Sequence, residues 1–423
     1  MNISYEKIKS LVSEVTPRII DIRHDIHSHP ELSEQEVKTA GLIQAELDRL
    51  GIPYISEVAG HGVKAVIAGE AGGNASEAGK VAATGEVCKA DETGINAVAI
   101  RADMDALPIT EKTNFEFKSQ NDGVMHACGH DIHTSILLGT ANVLTALAAD
   151  GYKLPQPVVL LFEPAEETRG GAMYMIDEGC LENPHVGSVL GLHIEPSVDV
   201  GKLEFIPGTM NAASTEFTVT VNGKSCHGAS PFRGIDPLLP ACNMVSSLQS
   251  IITRHIHPVD AALITVGKFH SGTAGNIIPD ESTFKGIIRV LDMKNRALIK
   301  DELAKLCNGI AEGYGATCTV DYADSYPTLV NDDELLEKVS TDLGKKIGEE
   351  NIIINPKSSL GADDFAYFCH ASKGLYFNLG SHTPGTPYQA LHSAELNADE
   401  GCISLGILSE VLAVLKIMGV DVE

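Results

Sequence analysis

Residues 157–168 read PVVLLFEPAEET, a continuous apolar run that is followed by three carboxylates. The run Val158–Phe162 has the length and composition of a strand buried on both faces. A helical stretch at Asp131–Ala149 precedes it, and a second apolar strand is predicted at Ser188–Ile194. Strands and helices that alternate in this way indicate an α/β sheet, in which functional residues gather on loops at the carboxyl ends of the strands.

The pattern changes at about Thr209. Residues Thr215–Val221 (TEFTVTV) alternate between polar and apolar side chains, as in a half-exposed antiparallel strand. Predicted elements then follow in the order β-α-β-β-α-β, which is typical of a ferredoxin-like α+β sandwich. We therefore predict a discontinuous α/β domain of residues 1–208 and 326–423, into which a second domain of residues 209–325 is inserted.

Three local features lead to narrower expectations. A helix over residues 5–29 is expected to be interrupted near Pro17. Ser33, with Glu36 three residues later, matches a capping box at the start of a second helix. The stretch Gly69–Gly94, rich in glycine, alanine and charge, is expected to be an exposed hairpin insertion.

Composition limits the classes of partner. The chain has 423 residues, of which 43% are hydrophobic and 21% charged, as in an ordinary globular enzyme. Its formal net charge of −26 repels phosphate backbones and anionic lipid, so we expect neither nucleic-acid nor membrane binding. No apolar signal-peptide core is seen, and the nine cysteines form no CxxC pair. These features predict a cytoplasmic protein with free thiols.

Residues with metal-ligand chemistry lie at predicted strand and helix ends. Cys128 and His130 precede a helix, while His193 ends an apolar strand. Each of these residues alone is weak evidence for a metal site, but together they form one ligand set with a thiolate, three imidazoles and a carboxylate. The set consists of Cys128, His130, Glu167, His193 and His392. Ligands of this kind suit one or two ions of zinc, manganese, cobalt or nickel rather than calcium or magnesium. Glu166, beside Glu167, is then available as a general base.

Nine segments of the chain occur in an order that resembles the M20 metallopeptidase family. The resemblance is to its amidohydrolase branch of aminoacylase-like enzymes, hippurate hydrolases and auxin-conjugate hydrolases. The segments, which run from Arg23 to Leu396, are RHDIHSHPELSEQE, RADMDALPI, MHACGHDIHT, FEPAEE, GLHIEP, HGASPFRGIDP, GNIIPD, LGADDFAYF and LHSAEL. The resemblance implies a mixed-sheet α/β metallopeptidase-type catalytic domain with an inserted ferredoxin-like lid or dimerisation domain.

The resemblance also implies roles for individual residues. It makes the five residues above the metal ligands and Glu166 the base that activates water. Asp105 becomes the acidic residue behind the metal site, with Asp103 left as the alternative. In the inserted domain, His227 reaches the reacting carbonyl, and Asn276 and Arg289 hold a substrate carboxylate. The inserted domain is further expected to pair two copies of the chain, so that a homodimer or higher oligomer forms.

The sequence thus predicts a metal-dependent amidohydrolase that cleaves N-acyl amino acids or short peptide-like conjugates. A dipeptidase or carboxypeptidase of the same family is the first alternative. A thiol hydrolase with Cys128 as nucleophile and a binding protein without turnover are the others. Serine-hydrolase and zincin mechanisms are disfavoured, because neither a G-x-S-x-G nor an H-E-x-x-H motif occurs.

Overall fold

The computed structural model describes residues 3–70 and 96–423, and the insertion expected at Gly69–Gly94 falls almost entirely outside them. The helices of the described residues are α1 (Tyr5–Ser28), α2 (Val37–Leu50), α3 (His130–Ala149), α4 (Gly171–Asp177), α5 (Leu238–Ser247), α6 (Gln249–His255), α7 (Met293–Gly313), α8 (Asp333–Ile347), α9 (Phe365–Ala371) and α10 (Gly401–Ile417). The strands are β1 (Tyr54–Val58), β2 (Gly62–Ile67), β3 (Ala97–Asp103), β4 (Val158–Glu163), β5 (Val186–Asp199), β6 (Leu203–Phe205), β7 (Thr209–Asn211), β8 (Ala213–Asn222), β9 (Cys226–His227), β10 (Ala262–Ser271), β11 (Ile277–Ile278), β12 (Glu281–Val290), β13 (Thr317–Asp324), β14 (Leu329–Val330), β15 (Ile352–Ile354) and β16 (Lys373–His382).

The chain divides into two compact units. The first comprises Met1–Gly208, Val330–Lys357 and Tyr367–Glu423, and the second comprises Thr209–Leu329 and Ser358–Ala366. Compared with the predicted domains, residues 326–329 and Ser358–Ala366 move to the second unit. Hydrogen bonds explain the second change, because the Ser358 hydroxyl donates to the Thr209 carbonyl at 2.6 Å and the Ser359 amide to the Met210 carbonyl at 2.8 Å. Contacts of this kind, made across more than a hundred residues, leave no signal in the local sequence.

A mixed sheet forms the centre of the first unit and confirms the predicted α/β class. Its strand order is β1-β2-β4-β3-β5-β16-β6-β15. The pairs β4–β3, β3–β5 and β5–β16 are parallel, whereas β1–β2, β2–β4 and β16–β6 are antiparallel. The parallel strands β3 and β4 end at Asp103 and Glu163, so the loops that follow them start at the same edge of the sheet.

Helix α3 is the core helix of this unit. It packs between α1 and α10 and against β3, and its buried side chains include Ile136, Leu137 and Leu144. It is long and apolar enough to span a membrane by length and composition, yet 78% of the relevant window is buried inside the protein. Burial of this extent is what a core helix shows, and the exclusion of water from α3 stabilises the first unit.

The second unit contains the predicted β-α-β-β-α-β order. Its four-stranded antiparallel sheet has the strand order β10-β12-β8-β13, and α5, α6 and α7 pack on it. Alternate residues of β8 (Phe217, Val219 and Val221) point into the core, in a buried cluster that also contains Leu303 of α7. A separate two-stranded ribbon, formed by β9 and β11, holds His227 opposite Ile277.

Two local predictions near the N-terminus are wrong. Helix α1 continues through Pro17, because buried residues on both sides of it, such as Ile8 and Ile26, keep one face of the helix in the core. The capping box is also absent: α2 begins at Val37, and the side chain of Glu31 accepts the first amides of α2 instead. Ser33 is therefore free for a different role at the site described below.

Glu410 provides a test of this core. It lies fully buried in α10 and accepts a 2.7 Å hydrogen bond from the Thr140 hydroxyl of α3. Burial raises its pKa from 4.5 to about 8. Between these two values the folded protein holds a proton that the unfolded chain releases. The free energy of unfolding therefore falls as pH rises through this window, by up to about 1.4 kcal/mol per pH unit.

Glu410→Gln, which imitates the protonated side chain, is expected to remove this pH-dependent fall in the free energy of unfolding. Its stability relative to the wild type should increase from pH 5 to pH 8, as measured by urea unfolding at each pH. The exposed Glu14→Gln on α1 is the control and should show a constant difference. A constant difference for Glu410→Gln as well would contradict the assignment of a protonated, buried carboxyl.

Candidate metal centre

The loop before α3 brings two of the predicted ligands into the first unit's core. Cys128 and His130 are both buried and flank Gly129, which has a left-handed backbone (φ 91°) at the start of the helix. A Cβ atom at Gly129 would lie 2.3 Å from the Cδ1 atom of Ile194 in β5. Glycine is therefore required here both by its φ and by the close approach of α3 to β5.

His193 of β5 faces Cys128. The Nε2 atom of His193 lies 3.3 Å from the Cys128 Sγ, and its Nδ1 lies 2.7 Å from the Ile194 carbonyl oxygen. Because a carbonyl oxygen only accepts, Nδ1 carries the proton and donates it in this bond. The lone pair of Nε2 is thus directed to the side where Cys128 lies, which is the tautomer a metal ligand needs.

The loop after β4 holds Glu166 and Glu167. Ala165 adopts a left-handed backbone (φ 59°), and its amide donates to the buried Glu36 carboxylate at 2.8 Å. Two residues later, the Glu167 amide donates to Asp105 at 3.0 Å. These two bonds hold a strained turn in place and bring both glutamates to His130, within a cluster whose ligand atoms lie no more than 4.8 Å apart.

His392 reaches the same place from the loop before α10. Its backbone is left-handed (φ 60°), and its amide donates to the Ala127 carbonyl at 2.7 Å. Its Nε2 atom lies 3.2 Å from the Glu167 Oε1, although the ring is about half exposed to solvent. A residue distant in sequence is thus attached directly to the loop that carries Cys128.

One aspartate, Asp103, ends β3 and a second, Asp105, follows it, and they contact different partners. Asp105 lies behind His130, whose Nδ1 is 3.2 Å from its Oδ1, and it also accepts the Ser33 hydroxyl at 2.6 Å. Asp103 instead accepts from Arg101 and from His133, each at 2.7 Å. This geometry favours Asp105 over Asp103 as the acidic residue behind the ligands, and its role stays a prediction.

The predicted ligands gather into sets that overlap. Two groups, each with ligand atoms within 4.8 Å of one another, share Cys128. Those groups are Cys128 with His130 and His193, and Cys128 with Glu167 and His392. At this place, the buried His130 Nε2 has no hydrogen-bond partner among the described residues, and the buried Glu167 Oε1 is contacted by the half-exposed His392 ring at 3.2 Å. A buried polar atom without a partner is costly, and a divalent cation held by His130 and Glu167 would satisfy it. The residues therefore fit a metal.

A third group, Asp103 with His130 and His133, is a poorer ligand set. Both ring nitrogens of His133 are already engaged, Nδ1 with Asp103 and Nε2 with the Ile194 amide at 2.9 Å. No lone pair of His133 remains for a metal, so we assign this ring a structural contact.

Burial and charge shift the pKa values of the central pair. Burial raises the pKa of the Cys128 thiol well above its usual value, and the neighbouring His130 opposes this shift. Burial would lower the pKa of His130, yet the charges of Asp103 and Cys128 raise it well above its usual value. The site thus stabilises positive charge beside the thiol. A bound cation would also place positive charge there.

The three remaining predicted residues lie in the second unit. His227 is exposed, and its Nδ1 accepts the Ala229 amide at 3.0 Å, so the neutral ring presents its Nε2–H to solvent. Asn276 is joined to the same ribbon, because its carbonyl accepts the Gly228 amide at 2.8 Å. Arg289 lies on β12 of the separate four-stranded sheet, and its Nη1 is buried without a hydrogen-bond partner among the described residues.

Several residues that organise the site were not assigned to it from the sequence. Ser33 and Glu36, which were predicted to form a capping box, instead bind Asp105 and the Ala165 amide. His133 follows His130 by three residues on a helix, and this spacing alone could have indicated that both rings share one face.

Comparison with known proteins identifies the family of the chain. A model of peptidase family M20/M25/M40 matches residues 99–412. The chain belongs to this family. It is 36% identical over 416 residues to thermostable carboxypeptidase 1 of Saccharolobus solfataricus, with 97% of this chain and 98% of the relative covered. It is 34% identical over 367 residues to the hippurate hydrolase of Campylobacter jejuni, with 85% and 89% covered.

A solved structure shares the whole fold. It is a Bacillus subtilis protein described as a dinuclear metal-binding peptidase of the M20 family, with a TM-score of 0.79 and 28% identity. The match covers 97% of this chain and 99% of that protein. Family membership and the gathered ligands identify the present chain as a metal-dependent amidohydrolase, a hydrolase that acts on C–N bonds.

The contacts of Asp105 generate a prediction about metal binding. Its carboxylate orients His130 and also holds the Glu167 amide. Asp105→Ala is therefore expected to weaken metal binding about 10- to 100-fold, as is usual when the partner of a ligand is lost. The metal dissociation constant, measured by competition with a chromophoric chelator, is the readout. Ser33→Ala, which removes only one donor to Asp105, should have a smaller effect. Wild-type affinity in Asp105→Ala would contradict the prediction.

Proposed function

We propose that this protein hydrolyses N-acyl amino acids or short peptide-like conjugates, with Glu166 as the general base. The observation that carries the proposal is the buried, unpartnered Nε2 atom of His130, which lies within one cluster with the Glu166 and Glu167 carboxylates. A metal ligand and a second carboxylate next to each other are what a metal-assisted hydrolysis requires.

The bound metal would act as a Lewis acid on the scissile carbonyl and would lower the pKa of water. Glu166 takes a proton from the attacking water and returns it to the leaving amine, so that one carboxylate serves both proton transfers. The left-handed turn at Ala165 directs this side chain towards the cluster of His130 and Glu167. Zinc, manganese, cobalt and nickel all suit the ligand set, since soft and borderline donors predominate.

In the second unit, we assign His227 to the oxyanion. Its Nδ1 is occupied by the Ala229 amide, so Nε2–H is the donor that remains. An N–H donor fixed in this way costs no reorganisation when negative charge develops on the substrate oxygen.

Arg289 and Asn276 are proposed to hold the carboxylate of the amino-acid part. The unpartnered Nη1 of Arg289 supports this role, because a buried guanidinium nitrogen without an acceptor favours an anionic ligand. A substrate with a free carboxylate is also consistent with a hippurate hydrolase among the relatives.

A carboxypeptidase activity is the second candidate. It is favoured by the thermostable carboxypeptidase of Saccharolobus solfataricus, which matches this chain over almost its full length. The same catalytic groups serve both reactions, so the difference lies in whether the acyl group is part of a peptide. Hydrolysis of a matrix of acyl groups and amino acids, after reconstitution with each metal, separates the two.

A thiol hydrolase accounts for less of the site. The 3.3 Å contact of Cys128 with His193 would suit a Cys–His dyad. The buried His130 Nε2, however, would stay without a partner in such an enzyme. We further propose a cytoplasmic location, on the basis of the free cysteines among the described residues.

The division of roles between the two glutamates can be tested by substitution. Glu166→Gln should keep its metal content near wild type and lower kcat by roughly 10²–10⁴, the usual contribution of a general base. Glu167→Gln should instead lose metal, because it removes a ligand. Metal analysis by atomic emission, together with kcat on an N-acyl amino acid, distinguishes the two variants. Equal metal loss in both would refute the division.

Arg289 is tested by comparing free-acid substrates with their amides. Loss of a charged hydrogen bond costs about 1.5–3 kcal/mol, or roughly 10- to 150-fold in kcat/KM. Arg289→Ala should therefore impair hydrolysis of the free acids and spare the amides. Lys285→Ala, on an exposed position of the same strand, serves as the control. An equal effect on acids and amides would show that Arg289 does not hold the carboxylate.

We also propose that His227 acts across the interface of a homodimer formed through the second unit. His227→Ala and Glu166→Gln chains would each be inactive as homodimers. After subunit exchange, half of the dimers would be mixed and each would contain one intact site, so about a quarter of wild-type activity should return. Native mass spectrometry confirms the exchange. If exchange occurs and no activity returns, His227 does not act in trans.

A further inference from the structure

The peptide units around Ile194 connect two histidine rings. On one side, the Ile194 amide donates to His133 Nε2 at 2.9 Å. On the other, the Ile194 carbonyl accepts from His193 Nδ1 at 2.7 Å. The two rings are also in contact, with centroids 4.5 Å apart in an edge-to-face arrangement. The backbone of one residue thus fixes the tautomers of both rings, because an amide only donates and a carbonyl only accepts.

The position of Ile194 in the sheet explains why a side chain is needed there. The last residue pair between β3 and β5 is Arg101 with Gly191. Strand β5 continues beyond this pair without further pairing to β3. A buried backbone amide past that point needs another acceptor. His133 of α3 supplies this acceptor. The hydrogen bond holds β5 in place directly beside His193.

The proton on His133 is held in turn by a buried ionic chain. His133 Nδ1 donates to Asp103 at 2.7 Å, and the other oxygen of Asp103 accepts from Arg101 Nη1 at 2.7 Å. Arg101 also donates to Glu163, and all these side chains are buried. A charged chain without exposure to water is expensive unless every member is satisfied, so its geometry is rigid.

We infer that Asp103 and His133 are positioning residues for the metal ligand His193, acting through the backbone of Ile194. Asp103 keeps the His133 proton on Nδ1, which leaves Nε2 to accept the Ile194 amide. The Ile194 carbonyl is then held where it orients the His193 ring towards Cys128. This inference rests on the proposed metal site, and it gives Asp103 a role different from that of Asp105, which contacts His130 and the Glu167 amide directly.

Metal affinity and the visible spectrum of the Co²⁺-loaded protein test the inference without relying on activity. His133→Phe keeps a ring in place and removes both hydrogen bonds. In Asp103→Asn, the side chain can no longer accept from both Arg101 and His133, while the Arg101–Glu163 pair stays balanced in charge. Both variants should bind Co²⁺ about 10- to 100-fold more weakly and shift its ligand-field bands. His133→Gln, which can still accept the Ile194 amide, should recover part of the lost affinity.

Two controls make the outcome decisive. Thr134→Val removes a buried 2.7 Å hydrogen bond to the main-chain carbonyl of Asp103 and leaves its carboxylate untouched. It should lower thermal stability and keep the Co²⁺ affinity within about twofold. His193→Ala removes the ligand itself and tests the metal site separately.

If His193→Ala weakens Co²⁺ binding while Asp103→Asn and His133→Phe bind as the wild type does, the positioning role is overturned and the metal site stands. If His193→Ala also binds Co²⁺ as the wild type does, His193 is not a ligand, and both the ligand assignment and the inference fail. Should His133→Phe not fold, as judged by circular dichroism, Asp103→Asn alone decides by the same criteria.

Discussion

The buried carboxylate of Asp105 is the point on which the candidate metal centre depends. A carboxylate removed from water must be hydrogen-bonded on both oxygens, and this requirement draws three separate segments together. The segments contribute the Ser33 hydroxyl, the His130 ring and the Glu167 amide. Two proposed ligands are thus held by one group, so the requirement to satisfy a buried charge also sets the geometry of the site.

Two of the left-handed, non-glycine residues lie in the loops that present functional side chains. Ala165 and His392 both adopt left-handed conformations that are unfavourable for residues with a Cβ atom. Each is held by a backbone hydrogen bond, from the Ala165 amide to Glu36 and from the His392 amide to the Ala127 carbonyl. The packed core of α3 and the central sheet provides the stability that offsets this local cost.

The net charge of the whole chain does not determine which substrate charge the proposed site accepts. The net charge of −26 belongs to the whole molecule, whereas the proposed carboxylate pocket relies on one arginine with a buried, unpartnered nitrogen. A local guanidinium outweighs a distant field, because surface charges are screened by salt over roughly 8–10 Å. An acidic protein of this kind can therefore select an anionic substrate.

Hydrophobic periodicity was enough to predict the fold class, because it reports burial directly: the run Val158–Phe162 lies in β4, and the alternating run Thr215–Val221 lies in β8. The residue identities likewise predicted the candidate ligand set, since thiolate, imidazole and carboxylate chemistry depends on the type of side chain. Tertiary structure alone decided which partner each polar group takes. Ser33 bonds to Asp105 rather than capping α2, His133 donates to Asp103 and accepts the Ile194 amide, and Ser358–Ala366 joins the second unit. Such contacts join residues that are far apart in the chain. They depend on which buried donors and acceptors the fold brings together, and a local sequence pattern carries no information about that.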